Sequence, residues 1–127
     1  MSLRVLIADD DPSVRSMLEL VLGLEGFEVL TVPDGVQALR VVQDFDPDVI
    51  VLDVMMPVAN GHEVARRLKA IPKLRDIPLV FCSALSSGSD TWEGWQLGAD
   101  SYIAKPFDNE RFIDELLRVT RQAAAVH

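Results

Sequence analysis

Five times along this chain a short, almost wholly apolar run gives way to an amphipathic stretch, and few architectures accept that alternation. Leu3–Ala8, interrupted only by Arg4, has the composition of a strand covered on both faces. Asp11 then reads as a helix N-cap with Pro12 at the first helical position. Val14, Met17, Leu18, Val21 and Leu22 follow on one helical stripe, and Gly26 is a natural stop. The cycle repeats with a strand at Phe27–Val32 and a helix from a capping-box-like Asp34/Gln37 to about Phe45. Val49–Leu52, the most apolar run, is expected to be the central strand. A loop with Pro57 and Gly61 leads to a helix at about His62–Ala70, and Leu79–Cys82 forms the fourth strand. A weaker helix is expected at about Asp90–Leu97 and a short fifth strand at Ser101–Ala104. Asp108 caps a final helix to about Ala124, with Phe112, Leu116 and Val119 on one face. Five strands and five helices joined by short connections imply an α/β domain, a parallel sheet wound on both faces.

A length of 127 residues suits a single domain, and a hydrophobic fraction of 49% excludes global disorder. The net charge of −8 argues against direct nucleic-acid binding, which draws on a basic surface. It suits protein or cation partners. Cys82 is the sole cysteine, so no internal disulfide forms and a reducing, cytoplasmic setting is expected. No apolar run approaches the roughly 18 residues that cross a bilayer, and the N-terminus lacks a signal-like apolar core. No membrane association is expected.

In an open parallel sheet, ligands bind beyond the carboxyl ends of the strands. The residues just past those ends are Asp9 and Asp10 after the first strand, Asp53 after the third, Ser83 after the fourth and Lys105 after the fifth. Carboxylates within about 5 Å repel by roughly 3 kcal/mol per pair at an effective dielectric near 20. A proton or a cation must offset that repulsion. Oxygen donors without histidine or cysteine favour Mg²⁺ with retained waters, an ion suited to phosphoryl transfer. Lys105 supplies a point charge for phosphate, and Ser83 one hydroxyl donor.

The stretches VLIADDDPSVR, VIVLDVMMPVANG, LVFCSAL and GADSYIAKPF, in that order, resemble the receiver domain of two-component response regulators, of the chemotaxis-regulator kind. The resemblance runs from Leu3 to about Val119, and the whole chain, 1–127, is expected to be one such domain. It implies a flavodoxin-like strand order, 2-1-3-4-5. It implies that Asp53 accepts a phosphoryl group from the phosphohistidine of a sensor histidine kinase or a histidine phosphotransfer protein. Asp10, Asp53 and the backbone carbonyl of Met55 would hold Mg²⁺ or Mn²⁺, with Asp9 acting through water. Ser83, the backbone amide of Ala84 and Lys105 would hold the phosphoryl oxygens. A cis peptide would precede Pro106, and Tyr102 would change rotamer as Ser83 moves. The face formed by the weaker helix, the fifth strand and the final helix would control a downstream protein or effector domain, or pair two copies of the chain. Such a chain is a signalling phosphoprotein of bacterial type, not an enzyme, beyond its own phosphotransfer and autodephosphorylation.

Other residues have plainer readings. Asp11 is a cap, not a ligand, and His62 a surface residue after Gly61. Cys82 packs within its strand. Trp92 and Trp95, three apart, either pack inward or meet a partner. Met55 and Leu85 are apolar where family members flank the acyl phosphate, which implies slow loss of phosphate. A phosphatase of the haloacid dehalogenase type would need an acid at position 55, and a flavin carrier would not place three aspartates at its phosphate loop. A receiver-like docking module that is never phosphorylated stays open. The chain ends just past its final helix, so it reads as either a single-domain regulator or a receiver from a longer protein.

Overall fold

The computed structural model describes residues 2–56, 59–84 and 95–126. Five strands, β1 (Arg4–Ala8), β2 (Glu28–Val32), β3 (Val49–Asp53), β4 (Leu79–Ser83) and β5 (Ser101–Ala104), form one sheet in the order β2-β1-β3-β4-β5. Every pairing is parallel. β3 is central, and all five of its residues are buried, as a run without polar alternation requires.

Among the described residues four helices are complete, α1 (Pro12–Leu24), α2 (Gly35–Phe45), α3 (Gly61–Lys69) and α4 (Asn109–Val126), against the five expected. Most of the weaker helix expected at about Asp90–Leu97 lies outside the described residues, and Trp95 and Gln96 within it are helical.

The pleat of the sheet divides the core in two. Val5, Ile7, Val49, Val51, Val80, Cys82 and Ile103 point to one face, where Leu18 and Leu22 of α1 and Phe112, Leu116 and Val119 of α4 cover them. Leu6, Ala8, Ile50, Leu52, Leu79 and Phe81 point to the other, beneath Ala38 and Val42 of α2 and Val64, Ala65 and Leu68 of α3. A fully buried Leu or Phe contributes about 1.5–3 kcal/mol each through area removed from water, so these layers dominate stability.

The helix ends follow from local chemistry. Asp11 Oδ1 accepts the Ser13 amide at 2.9 Å, which makes it the cap of α1 with Pro12 inside it. Gly26 closes the turn after α1 at a φ of 93°, a conformation that costs a β-carbon-free residue nothing. Asp34 accepts the Gln37 amide at 2.8 Å and starts α2. α2 stops at Asp46, left-handed with φ 52°, and Pro47 follows where no helix can continue.

One expectation fails. His62 is not at the surface but buried, 4% exposed. α3 begins at Gly61, so His62 falls in its first turn, on the face shared by Val64, Ala65 and Leu68, instead of in the preceding loop.

Candidate functional site

The carboxyl ends of β1, β3, β4 and β5 converge at one edge of the sheet. Asp9 continues the β1 ladder by donating its amide to the Val32 carbonyl at 3.1 Å, and its side chain is buried. Its Oδ1 accepts the Asp11 amide at 2.9 Å, and the Arg15 guanidinium donates to its main-chain carbonyl at 2.9 Å. Arg15 is a supporting residue that sequence reading missed, because nothing local marks a helix arginine as reaching back to the preceding strand. Asp10 is exposed.

Asp53 ends β3, buried, with Oδ1 accepting the Met55 amide at 3.1 Å. The loop beyond it is tied to β4, for the Val54 amide donates to the Cys82 carbonyl at 3.0 Å. The Lys105 ammonium joins the two acids, donating to Asp9 Oδ2 at 2.8 Å and to Asp53 Oδ2 at 3.0 Å. Its amide donates to the Ser83 carbonyl at 2.8 Å, and the Lys105–Pro106 peptide is cis. Ser83 ends β4 fully buried, in register with Ala104, and Ala84 follows exposed. The structure thus brings Asp9, Asp10, Asp53 and Lys105 into one cluster with Ser83 beside it. The Met55 side chain stands over half exposed, and Leu85 and Trp92 lie outside the described residues.

One carboxylate oxygen each from Asp9, Asp10 and Asp53 can be taken so that all lie within 4.8 Å of one another. A single ammonium against three carboxylates leaves two formal negative charges, which one divalent cation cancels. The all-oxygen donor set fits Mg²⁺ or Mn²⁺ and not zinc. Burial pushes the Asp53 carboxyl above its ordinary value, against the opposing pull of the Lys105 hydrogen bond and charge. Burial works to lower Lys105, but its hydrogen bonds to Asp9 and Asp53 and their charges outweigh it and hold the ammonium above its usual range. Burial pushes the Cys82 thiol up to about 12, so this residue is inert packing. An apolar groove of about 380 Å³ between Val14, Met17, Ala84, Pro106 and Phe107 opens beside Lys105.

Gly61 allows α3 to sit against the end of β3. A β-carbon there would lie 2.6 Å from the Asp53 carbonyl oxygen and 3.1 Å from the Val54 Cα, both backbone. Gly61→Ala is therefore expected to cost about 1–3 kcal/mol, as overpacking against rigid neighbours does. An unchanged urea midpoint would contradict that contact.

A family model described as the response regulator receiver domain matches residues 5–117. The transcriptional regulatory protein PrrA of Mycobacterium tuberculosis is 47% identical over 104 residues, 82% of this chain and 44% of that protein. The DNA-binding response regulator MtrA of Mycolicibacterium smegmatis is 40% identical over 110 residues, 87% of this chain and 47% of its own length. Among solved structures, the chemotaxis protein CheY4 of Vibrio cholerae superposes with a TM-score of 0.89 at 34% identity, covering 94% of this chain and 99% of that one. The receiver domain of a Pseudomonas aeruginosa sensor histidine kinase, at TM-score 0.86 and 28% identity over 94% of this chain and 98% of its own, carries a magnesium ion coordinated in its active site cleft. The chain spans less than half the length of the curated regulators PrrA and MtrA, so the DNA binding named for MtrA belongs to that whole protein. No helix among the described residues is long and apolar enough to cross a membrane. With the strand order, the acid cluster at the carboxyl edge and the family match over most of its length, the chain belongs to the response regulator receiver domains of two-component systems.

Proposed function

We propose that Asp53 is the phosphoacceptor of this receiver. It would take a phosphoryl group from the phosphohistidine of a sensor histidine kinase or histidine phosphotransfer protein. The observation that carries the reading is the Lys105 ammonium held between the buried carboxylates of Asp9 and Asp53, with Asp10 alongside. An Asp53 carboxylate oxygen forms the new O–P bond as the P–N bond breaks. The released pair goes to the imidazole nitrogen, which takes up a proton from solvent. Asp10, Asp53 and the Met55 carbonyl, with Asp9 acting through water, are the residues to hold Mg²⁺ or Mn²⁺, which when bound would neutralise charge on the transferring oxygens.

Lys105 and Asp53 are positioned before any ligand arrives, so little reorganisation is needed at the reacting oxygen. The new group brings about two negative charges. Lys105 then turns from carboxylate counter-ion to phosphoryl ligand, and the Ser83 hydroxyl and Ala84 amide supply the other donors. Tyr102 and the surface of residues 95–104 and α4 are the response element, facing a downstream protein, an effector domain or a second copy. The protein is on this reading a cytoplasmic phosphoprotein whose whole chain, 1–127, is one receiver without direct nucleic-acid contact.

The test is incubation with acetyl phosphate and mapping of the adduct by mass spectrometry. We expect a label on Asp53 that requires Mg²⁺ or Mn²⁺. A label elsewhere, or one indifferent to chelator, would remove the reading, and no label at all would leave the never-phosphorylated docking module. The apolar Met55 and Leu85 are expected to slow hydrolysis, so a Met55→Asn, Leu85→Glu double variant should shorten the phosphoprotein half-life. A half-life equal to that of the parent would count against it.

A further inference from the structure

We propose that His62 is a positioning residue for the switch: its buried ring, set against Phe81, determines where Tyr102 packs and so couples filling of the acid pocket to the surface that bears Trp95. The inference rests on the phosphoacceptor reading above and deepens it. The first turn of α3 touches two places at once. Gly61 lies so close to Asp53 that a β-carbon would meet its carbonyl oxygen at 2.6 Å. The next residue, His62, turns its ring edge-on to Phe81, with centroids 5.0 Å apart and planes at 87°. That arrangement suits the aromatic quadrupoles.

Phe81 is wholly buried and lies two residues before Ser83, so both side chains occupy the same face of β4. It is in register with Tyr102, their rings 5.6 Å apart, and Tyr102 in turn meets Trp95 at 6.5 Å. Trp95 is 49% exposed. The rings therefore form one contiguous path from the acceptor strand to solvent. Close-packed rings change place by discrete hops and not by gradual yielding, which makes such a path two-state.

Filling the covered face of α3 would be met equally well by leucine, without the cost of burying a polar ring. The imidazole supplies what leucine lacks, a polarised aromatic edge toward Phe81. When Ser83 is drawn toward a phosphoryl group, the space beside Phe81 changes, and the position of the Phe81 ring decides which packing Tyr102 takes. His62 limits that position. By linkage, a residue that biases this packing must alter the apparent affinity for whatever fills the pocket. The loss of one edge-to-face ring pair corresponds to about a two- to tenfold change in such a ratio.

The experiment uses the full chain with Trp92→Phe, so that Trp95 alone emits, titrated with beryllofluoride as phosphoryl mimic in the presence of Mg²⁺. His62→Leu is expected to shift the resting Trp95 emission and to raise half-saturation about two- to tenfold. His62→Phe, which restores an aromatic edge, is expected to return half-saturation to within about twofold of the parent. Identical curves for His62→Leu and the parent, or an equal shift in both variants, would overturn the proposal. A measurement on the unsubstituted chain stands independent of variant folding. The chain has two histidines, so the His62 imidazole resonances are resolved, and they should move with the half-saturation seen by Trp95. Static resonances while Trp95 responds would overturn it too. An acetyl phosphate adduct on Asp53 with a silent Trp95 removes the coupling alone, whereas no adduct and no response removes the phosphoacceptor reading itself.

Discussion

An Asp53→Asn chain is expected to take up at least about 100-fold less phosphoryl group from acetyl phosphate than the parent, because an amide is a far weaker nucleophile than a carboxylate. The substitution keeps shape, so the fold should survive. The amide oxygen can still accept from the Met55 amide, now at 3.1 Å from Oδ1, while the hydrogen bond from Lys105 to Oδ2 at 3.0 Å is lost. Burial raises the Asp53 carboxyl above its ordinary value of 3.8. A carboxyl whose folded value is raised favours the fold below the unfolded value, and that advantage is lost as pH rises through the folded value. At neutral pH the Asp53 charge therefore works against folding, and removing it should leave the urea midpoint in chelator at or above that of the parent. Equal labelling of both chains would refute the acceptor assignment. An unfolding free energy that falls by more than about 2 kcal/mol would show that the charge holds the site together instead of straining it.

Lys105→Ala should have the opposite sign. It strips the bridging ammonium from two carboxylates that are 3% and 5% exposed, and breaking a buried pair from one side leaves the other side uncompensated. With the Lys105 side chain itself 20% exposed, the cost is expected at about 2–3 kcal/mol in chelator at pH 7, below the usual value of about 3–5 kcal/mol. The deficit should shrink as pH falls toward 4, since a protonated Asp53 no longer needs the ammonium, whose own raised value keeps it charged throughout that window. Mg²⁺ should also narrow it, because the site stripped of its ammonium holds the cation more tightly; a tenfold tighter dissociation constant than the parent's closes about 1.4 kcal/mol of the gap when both are saturated. Urea midpoints at two pH values, with and without Mg²⁺, check both statements. A variant as stable as the parent in chelator at pH 7 would mean that the pocket is wetter than its burial indicates.

Both predictions depend on contacts that no stretch of sequence displays. Lys105 meets Asp9 across 96 positions and Asp53 across 52. Reading the carboxyl ends of the strands placed these residues at a common edge, but not the bridge between them. That reading also cast Lys105 as a ligand for phosphate, where the structure first uses it as a counter-ion.

Features set within one turn of chain were legible from residues alone. Asp11 and Asp34 cap their helices through amides two and three residues on. The apolar runs located all five strands to within a residue at each end, and the run without polar alternation was the central one. His62 was not legible, because a histidine between glycine and glutamate looks like loop surface, and only a helix begun at Gly61 turns it inward.

The sequence by itself determined the order of elements, the caps and the identity of the acids at the strand ends, since each depends on side-chain chemistry a few residues apart. The tertiary structure alone decided that Lys105 bridges Asp9 and Asp53 and that His62 faces Phe81. Those pairings depend on how far the sheet twists and how closely α3 approaches β3 and β4. Packing sets both distances jointly across the whole core, and no local preference encodes them.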